Sequence, residues 1–514
     1  MLEYESDTKA GAKKFARIAT KKNSRPLKKK QEMNRKPLGT FALTVAIYTL
    51  VILTLVKAIA TVFANPLLGY ANNYDFVRQS SCIGIWQDYA NKPNTAANPL
   101  APVNSLIYDG HTSRGVCMKS SDNLFPWITT RLHKRGDKVD FREISLWKVT
   151  FVFAFFFILL SKTTDPRYKL AIAFAFFLIF GDLVNLLYAN TLYLEFSVVA
   201  GLFFSLFSTT LLMSARSKDT SLIVATIISL CWLGFSKQQY MPLATLLGTA
   251  CSAIVFFKYS DRRLALIFLL LAAATPLAYS AMNNSDHMQG VNFANKTDTF
   301  LGAVLPEATD KEKALSKLGL PTECMGGIGK NWYMPDVIQH HPCPEVEHVS
   351  RAKLIGIFIS DPATLLEPMH KALIRIRPFY PDHIGHMTDP SDGSSQRYLL
   401  LKRSSLSTAL AALPADYMLS ITLASILLGL AAMISIGASL RSRTSPPSFA
   451  WMILLGGLFS FYALFSSVFG DGYVDMQKHA VGFLVGLAFQ LTGVTFLSVT
   501  WLIDRRPIRR TAVQ

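Results

Sequence analysis

Apolar residues run along this chain in long uninterrupted blocks, with polar and charged residues gathered between them. The primary signal is therefore span length, the mark of helices that cross a bilayer. The first block extends from about Pro37 to Phe63, long enough at about 1.5 Å per residue to cross about 30 Å of hydrocarbon. Further blocks lie near 146–161, 169–190, 195–215, 221–240, 242–259, 264–282, 414–440, 448–470 and 479–503. The pattern predicts an all-α polytopic membrane protein of about ten transmembrane helices. Two long polar segments, about 64–145 and 283–413, interrupt them.

Composition agrees: 51% of the 514 residues are hydrophobic and only 17% charged, which excludes an ordinary soluble enzyme. The formal charge of +18 does not point to nucleic acid, because the basic residues form short blocks between apolar runs. Threading ten spans in order puts Lys162/Arg167/Lys169, Arg216/Lys218, Lys258/Arg262/Arg263, Arg441/Arg443 and Arg505/Arg506/Arg509/Arg510 on one side. That is the side of the basic N-terminus, so the positive-inside rule makes both termini cytoplasmic. The expected organisation is a basic disordered tail at 1–37, seven spans over 38–282 including the loop 64–145, a large outer loop domain at 283–413, three spans over 414–503, and a basic tail at 504–514. No cleavable signal peptide is evident, since the first apolar run follows a long Lys/Arg-rich stretch.

The larger loop is expected to contain short helices. Thr309-x-x-Glu312 reads as a capping box, and Asp361-Pro362 reads as an N-cap before an N1 proline, opening a helix toward Arg377. Of six cysteines, Cys231 and Cys251 fall in spans and the other four fall two by two in the outer loops. Cys82–Cys117 and Cys324–Cys343 disulfides are predicted, in an oxidising compartment. No CxxC occurs, which disfavours a metal site among them.

Ionisable residues in or at the ends of spans are costly and are read first as functional. Here they share one address, the outer face. Asp75 follows the first span, Asp182 lies about two turns inside the outer end of the third, and Glu195 opens the fourth. Lys237 ends the fifth, and Asp471, Asp475, Lys478 and His479 lead into the tenth. Arg78, Arg375 and Arg377 are further candidates for anionic groups. Each also admits a structural reading: Asp75 as a loop carboxylate paired with Arg78, Asp182 as a packing pair with Lys237, Glu195 as a carboxylate favoured by a helix N-terminus, Lys237 as a snorkelling lysine. Asp471, Asp475 and His479 recur every four residues and would share one helical face. A metal site there is less favoured than hydrogen bonding at a span entry.

An outer-face site has no access to nucleotide sugars, so the natural activated donor is membrane-borne. A polyprenyl-phosphate sugar needs an apolar groove for its chain, cations for its phosphate and a carboxylate to deprotonate the acceptor hydroxyl. The sequence offers all three.

The stretch Ala71-Asn72-Asn73-Tyr74-Asp75-Phe76-Val77-Arg78 resembles the signature of bacterial GT-C glycosyltransferases of the O-antigen glucosyltransferase and glycan hexosyltransferase kind. Gly181-Asp182, Tyr188–Glu195, Ser236–Pro242, Phe300–Pro306, Leu315–Pro321 and Asp471–His479 are similar, in the same order, to later stretches of that group. The resemblance implies a GT-C fold and inverting transfer of a hexose, glucose first among candidates, from undecaprenyl phosphate to an O-antigen or other surface glycan at the periplasmic face of a bacterial inner membrane. It implies Asp75 as the catalytic aspartate, with Asp182 and Glu195 near the reacting groups, and Lys237, Lys478, His479 and Arg78 as donor-phosphate contacts. No cofactor is expected. A flippase and a polyprenyl-phosphate sugar synthase are the expected companions. Tyr74 departs from the pattern, which has a small residue there.

Three alternatives remain open at this level: a transporter or flippase, an O-antigen ligase or polymerase using a diphosphate-linked glycan, and a non-catalytic scaffold. A transporter would carry charges at mid-membrane and two related halves, and no internal repeat is evident.

Overall fold

The computed structural model describes residues 36–505 apart from 66, 71–74, 88–103, 114, 216, 382–403, 443, 445, 447 and 448. The basic tails, apart from the helical ends at Lys36–Pro37 and Asp504–Arg505, and the position of Tyr74 lie outside the described residues. The chain is an α-helical membrane bundle. Among the described residues, eight helices are long and apolar enough to cross a bilayer: Phe41–Val62, Phe141–Ser161, Glu195–Ser214, Gln238–Tyr259, Arg262–Met282, Tyr417–Arg441, Ala450–Asp471 and Val481–Ile503.

The other two expected spans take different forms. The third is a pair of helical pieces, Pro166–Phe180 and Leu183–Asn190, bent by 67° at Gly181-Asp182. The break follows from Asp182, whose side chain accepts the Val184 N–H and so starts a new helix instead of continuing the old one. The fifth is shorter than 221–240, ending as Thr220–Gly234, with Phe235–Lys237 forming a link.

Aspartates set the helix starts at the end away from the large loops. Asp165 accepts the Arg167 N–H ahead of an N1 proline, Asp219 accepts the Ser221 and Leu222 N–H groups, and Asp261 accepts that of Leu264. Within the bundle, close backbone approach between Ala450–Asp471 and Val481–Arg505 depends on small residues. A Cβ on Gly456 would lie 2.6 Å from the Gln490 nitrogen, and one on Gly486 would lie 2.5 Å from that of Ser460. The Glu195–Ser214 helix is the centre of the bundle, buried from Glu195 to Leu212. A charged residue at its first position is thereby held in the interior.

The first loop is not all helical. Ile85–Gln87, Ser105–Tyr108 and Lys138–Asp140 form a three-stranded antiparallel sheet in that order, with Leu106 opposite Val139 and Gln87. Such short strands carry no alternation long enough to read from sequence. Asp140 then caps the next helix, which starts at Phe141 and not at 146.

The larger loop holds short helices as expected, with shifted caps. Asp310, not Thr309, accepts the Lys313 N–H of helix Lys311–Leu318. Thr309 instead donates both its N–H and its hydroxyl to Asp361, at 2.8 Å each. Asp361 is thus spent on tying two helices together, Pro362 is the capping position, and the helix runs Ala363–Arg375. Both expected disulfides are present, Cys82–Cys117 and Cys324–Cys343, and Cys231 and Cys251 are free thiols.

Candidate active site

Helix direction alone brings the ends of several spans and both large loops to one end of the bundle. There the side chains form two chains of opposite charges. In the first, the Lys237 ammonium lies 2.8 Å from the Glu195 carboxylate and 2.7 Å from His479 Nδ1. His479 Nε2 is in turn 2.6 Å from Asp471. With its amide oriented to satisfy the network, Asn295 donates to the other Asp471 oxygen at 2.8 Å. In the second chain, the Lys478 ammonium sits 2.6 Å from Asp75 and 3.2 Å from Asp475, and Arg78 holds the other Asp75 oxygen at 2.7 Å.

Local structure explains why these groups meet. Asp75 starts the nine-residue helix Asp75–Ile83, which places Arg78 one turn on and on the same side. The disulfide at Cys82 and Cys117 pins that helix to the loop. Asp471, Asp475 and His479 do not share one continuous helical face. The Ala450–Asp471 helix stops at Gly472, and both Gly472 and Asp475 adopt positive φ. The chain doubles back, and the Asp475 carbonyl accepts the N–H groups of Lys478 and His479 to start a single turn, Met476–His479. The reversal turns Asp475 to Lys478 and leaves Asp471 to His479. Segment Ser236–Pro242 braces this turn, since Gln239 donates to the His479 carbonyl at 3.2 Å and to Ser466 and Ser467.

Burial decides the electrostatics. Glu195 is 2% exposed, and the Lys478 side chain is 7% exposed. Burial works against charge on the Lys478 ammonium, but Asp75, Asp475 and Glu195 outweigh it and hold its pKa well above the usual lysine value. Burial likewise pushes the Asp75 carboxyl up, yet the positive charges of Lys478 and Arg78 bring it down to about 2. The Tyr193 ring lies under the Lys478 ammonium at 5.0 Å.

Asp182 stands apart from these ion pairs. It is fully buried and bonds to the Ser407 hydroxyl at 2.7 Å and the Ser407 N–H at 2.9 Å. Lys237 pairs with Glu195, not with Asp182. Asp182 therefore anchors the far end of the large loop to the broken span, and buried Tyr70, which donates to the Val184 carbonyl, lies near both Asp182 and Glu195. Arg375 packs over the Tyr473 ring at 4.3 Å, and Arg377 donates to the Ala411 carbonyl. Both border the Asp471–His479 link without joining its ion pairs.

Several charged residues here lie outside the set read from sequence. Lys148 and Asp122 form a buried pair at 3.0 Å, with Ser197 donating to Asp122 at 2.8 Å. A lone lysine inside an apolar run is the signal that finds Lys148. Asp298 and Arg351 come from the large loop. Arg351 is bound to Asn292 and the Gly470 carbonyl, and Asp298 lies two positions before the Phe300–Pro306 stretch. Beyond the Lys237 link, helices Thr220–Gly234, Met241–Tyr259 and Arg262–Met282 leave an apolar crevice lined by Leu230, Cys231, Ala244, Gly248, Phe268 and Thr275.

This fold and this cluster define a multi-pass membrane protein with a partly buried array of acids and bases at the loop-bearing end of its helices. The chain belongs to the family of the YfdI N-terminal transmembrane domain, whose model matches residues 27–513. That family is a glycosyltransferase-associated membrane domain. No curated protein and no solved structure matches the chain.

Proposed function

We propose that the protein is an inverting GT-C hexosyltransferase that moves a hexose, glucose first among candidates, from undecaprenyl phosphate to an O-antigen or another surface glycan at the periplasmic face of a bacterial inner membrane. The observation that carries this reading is the Asp75 carboxylate held between Lys478 and Arg78 at the loop-bearing end of the bundle. A base and phosphate-binding cations are what an acceptor hydroxyl and a lipid monophosphate donor need together.

In this reaction the acceptor oxygen attacks the anomeric carbon and the bond from that carbon to the phosphate oxygen breaks. The phosphate keeps the electron pair, and Asp75 takes the acceptor proton. A carboxyl held near 2 is a weak base, but the donor itself changes its surroundings. An incoming phosphate competes for Lys478 and Arg78; as they turn to it, Asp75 loses its counter-charges and burial drives its proton affinity up. The base is then strongest when the donor is in place. Lys237 and His479 are the adjoining phosphate contacts. Basic blocks at the opposite end of the bundle support the periplasmic orientation.

The test is transfer from radiolabelled undecaprenyl-phosphate glucose to candidate glycans by the purified protein in proteoliposomes. Wild type transfers label and Asp75→Asn does not. Equal transfer by both removes Asp75 from the mechanism.

A further inference from the structure

Asp298 opens the π-helical segment Asp298–Val304 that continues the helix Asp286–Thr297. π-helical turns inside helices are frequent at functional sites. The residue is 1% exposed. Its Oδ1 accepts the Trp332 N–H at 2.6 Å, while Oδ2 is buried and has no hydrogen-bond partner among the described residues. An ionised oxygen so placed has lost its hydration with nothing in return, whereas a protonated one has not lost a charge's worth.

The Asp471–His479 link lies directly on this residue. Gly472 is required there, since it has φ of 65° and a Cβ would collide with the Asp298 carbonyl. Asp471 and Asp475 flank that glycine and both face Asp298, as does Tyr333 from the following segment. The other charges on neighbouring elements have partners of their own. Glu307 pairs with Lys371, Lys330 pairs with Asp336, Lys296 bonds to the Glu347 carbonyl, Arg351 bonds to Gly470, and Arg375 covers Tyr473. No described cation forms an ion pair with Asp298. Burial first, and then Asp471 and Asp475, push its carboxyl up to about 8 against the lowering effect of the Trp332 N–H.

We propose that Asp298 is a positioning residue that must stay uncharged: its neutral carboxyl seats the Asp471–His479 link, and through it Lys478 and His479, and its ionisation unseats them. Two acids on the link can approach a third only while the third keeps its proton. A consequence, resting on the donor-phosphate reading of Lys478 and His479, is that donor binding fails on the alkaline side.

The experiment compares wild type with Asp298→Asn, which keeps an acceptor for the Trp332 N–H and cannot ionise. In melting curves, the folded wild type holds a proton that the unfolded chain has lost between the ordinary carboxyl range and about pH 8. Its stability therefore falls with rising pH across that window and levels off above it. The Asp298→Asn protein lacks this decline, so its melting advantage grows from pH 5 to pH 8 and then stays constant. A difference independent of pH overturns the proposal. If Asp298→Asn does not fold, Asp475→Asn removes one facing charge and shifts the wild-type decline so that it ends at lower pH; an unshifted end overturns the proposal.

The second arm measures binding of undecaprenyl phosphate. Wild type loses about tenfold in affinity from pH 7 to pH 9, as one pH unit beyond a single titration gives, and Asp298→Asn retains it. Equal loss in both proteins overturns the proposal. Growth of the melting difference with no binding by either protein at any pH supports the seating of the link and removes the donor reading instead.

Discussion

The Lys478 ammonium lies 2.6 Å from the Asp75 carboxylate, a contact between residues 403 positions apart. It joins the first large loop to the entry of the last span, so each depends on the other for its charge balance. Replacing Lys478 by methionine leaves Asp75 with Arg78 alone. Donor binding is expected to weaken by about tenfold or more, the scale of a charge-assisted contact, with a smaller loss for Lys478→Arg. Donor titrations followed by scintillation check it.

Removing the carboxylate tests the chemistry itself. Asp75→Asn is expected to lower kcat by about 100- to 10,000-fold, the range of a general base, with donor affinity kept or raised, since Lys478 and Arg78 are then free for the phosphate. A loss confined to KM would point to a binding role for Asp75.

The same pair predicts an acid dependence of stability. The folded pKa of Asp75, about 2, lies below its ordinary value, so its stabilising contribution is full above the unfolded carboxyl range and is lost as pH falls toward 2. The melting deficit of Asp75→Asn relative to wild type should therefore shrink between about pH 4 and pH 2. A deficit constant over that range would show that the ion pairs contribute nothing.

The buried Asp122–Lys148 pair gives a prediction free of catalysis. Lys148→Met leaves the buried Asp122 without its counter-charge and is expected to cost about 3–5 kcal/mol, while Asp122→Leu combined with Lys148→Met recovers most of it. Chemical denaturation of the three proteins decides this. Additive losses would mean that the two side chains are not coupled.

Thiol counting tests the loop architecture. Of the six cysteines, Cys231 and Cys251 alone should react in the denatured, unreduced protein. Cys82→Ser is expected to lower stability by about 2–4 kcal/mol and to lower activity with it, because the bridge anchors the helix that carries Asp75 and Arg78.

Much of the fold was legible in the chain, and particular residues show where legibility ended. Long apolar runs marked the spans, because hydrocarbon thickness sets a length that any sequence must meet. Asp182 marked its own position as costly without showing that it would break a span and bind Ser407, since a capping aspartate and a catalytic one are the same residue in a sequence. Asp471, Asp475 and His479 were legible as a group, but their helical spacing misled, because Gly472 reverses the chain between them. The three-stranded sheet was hidden because each strand is only three or four residues long.

By itself the sequence determined the membrane class, eight of the ten expected spans, the cysteine pairing and the end of the bundle at which ionisable residues gather. Each of these depends on composition within a short window and on its order along the chain. Tertiary structure alone decided which acid meets which base: that Lys478 takes Asp75, that Lys237 takes Glu195, and that Asp298 is buried beneath Gly472 with no described cation against it. Such pairings arise from packing between segments hundreds of residues apart, where burial and a few tenths of an ångström set the charge state and no local pattern records the outcome.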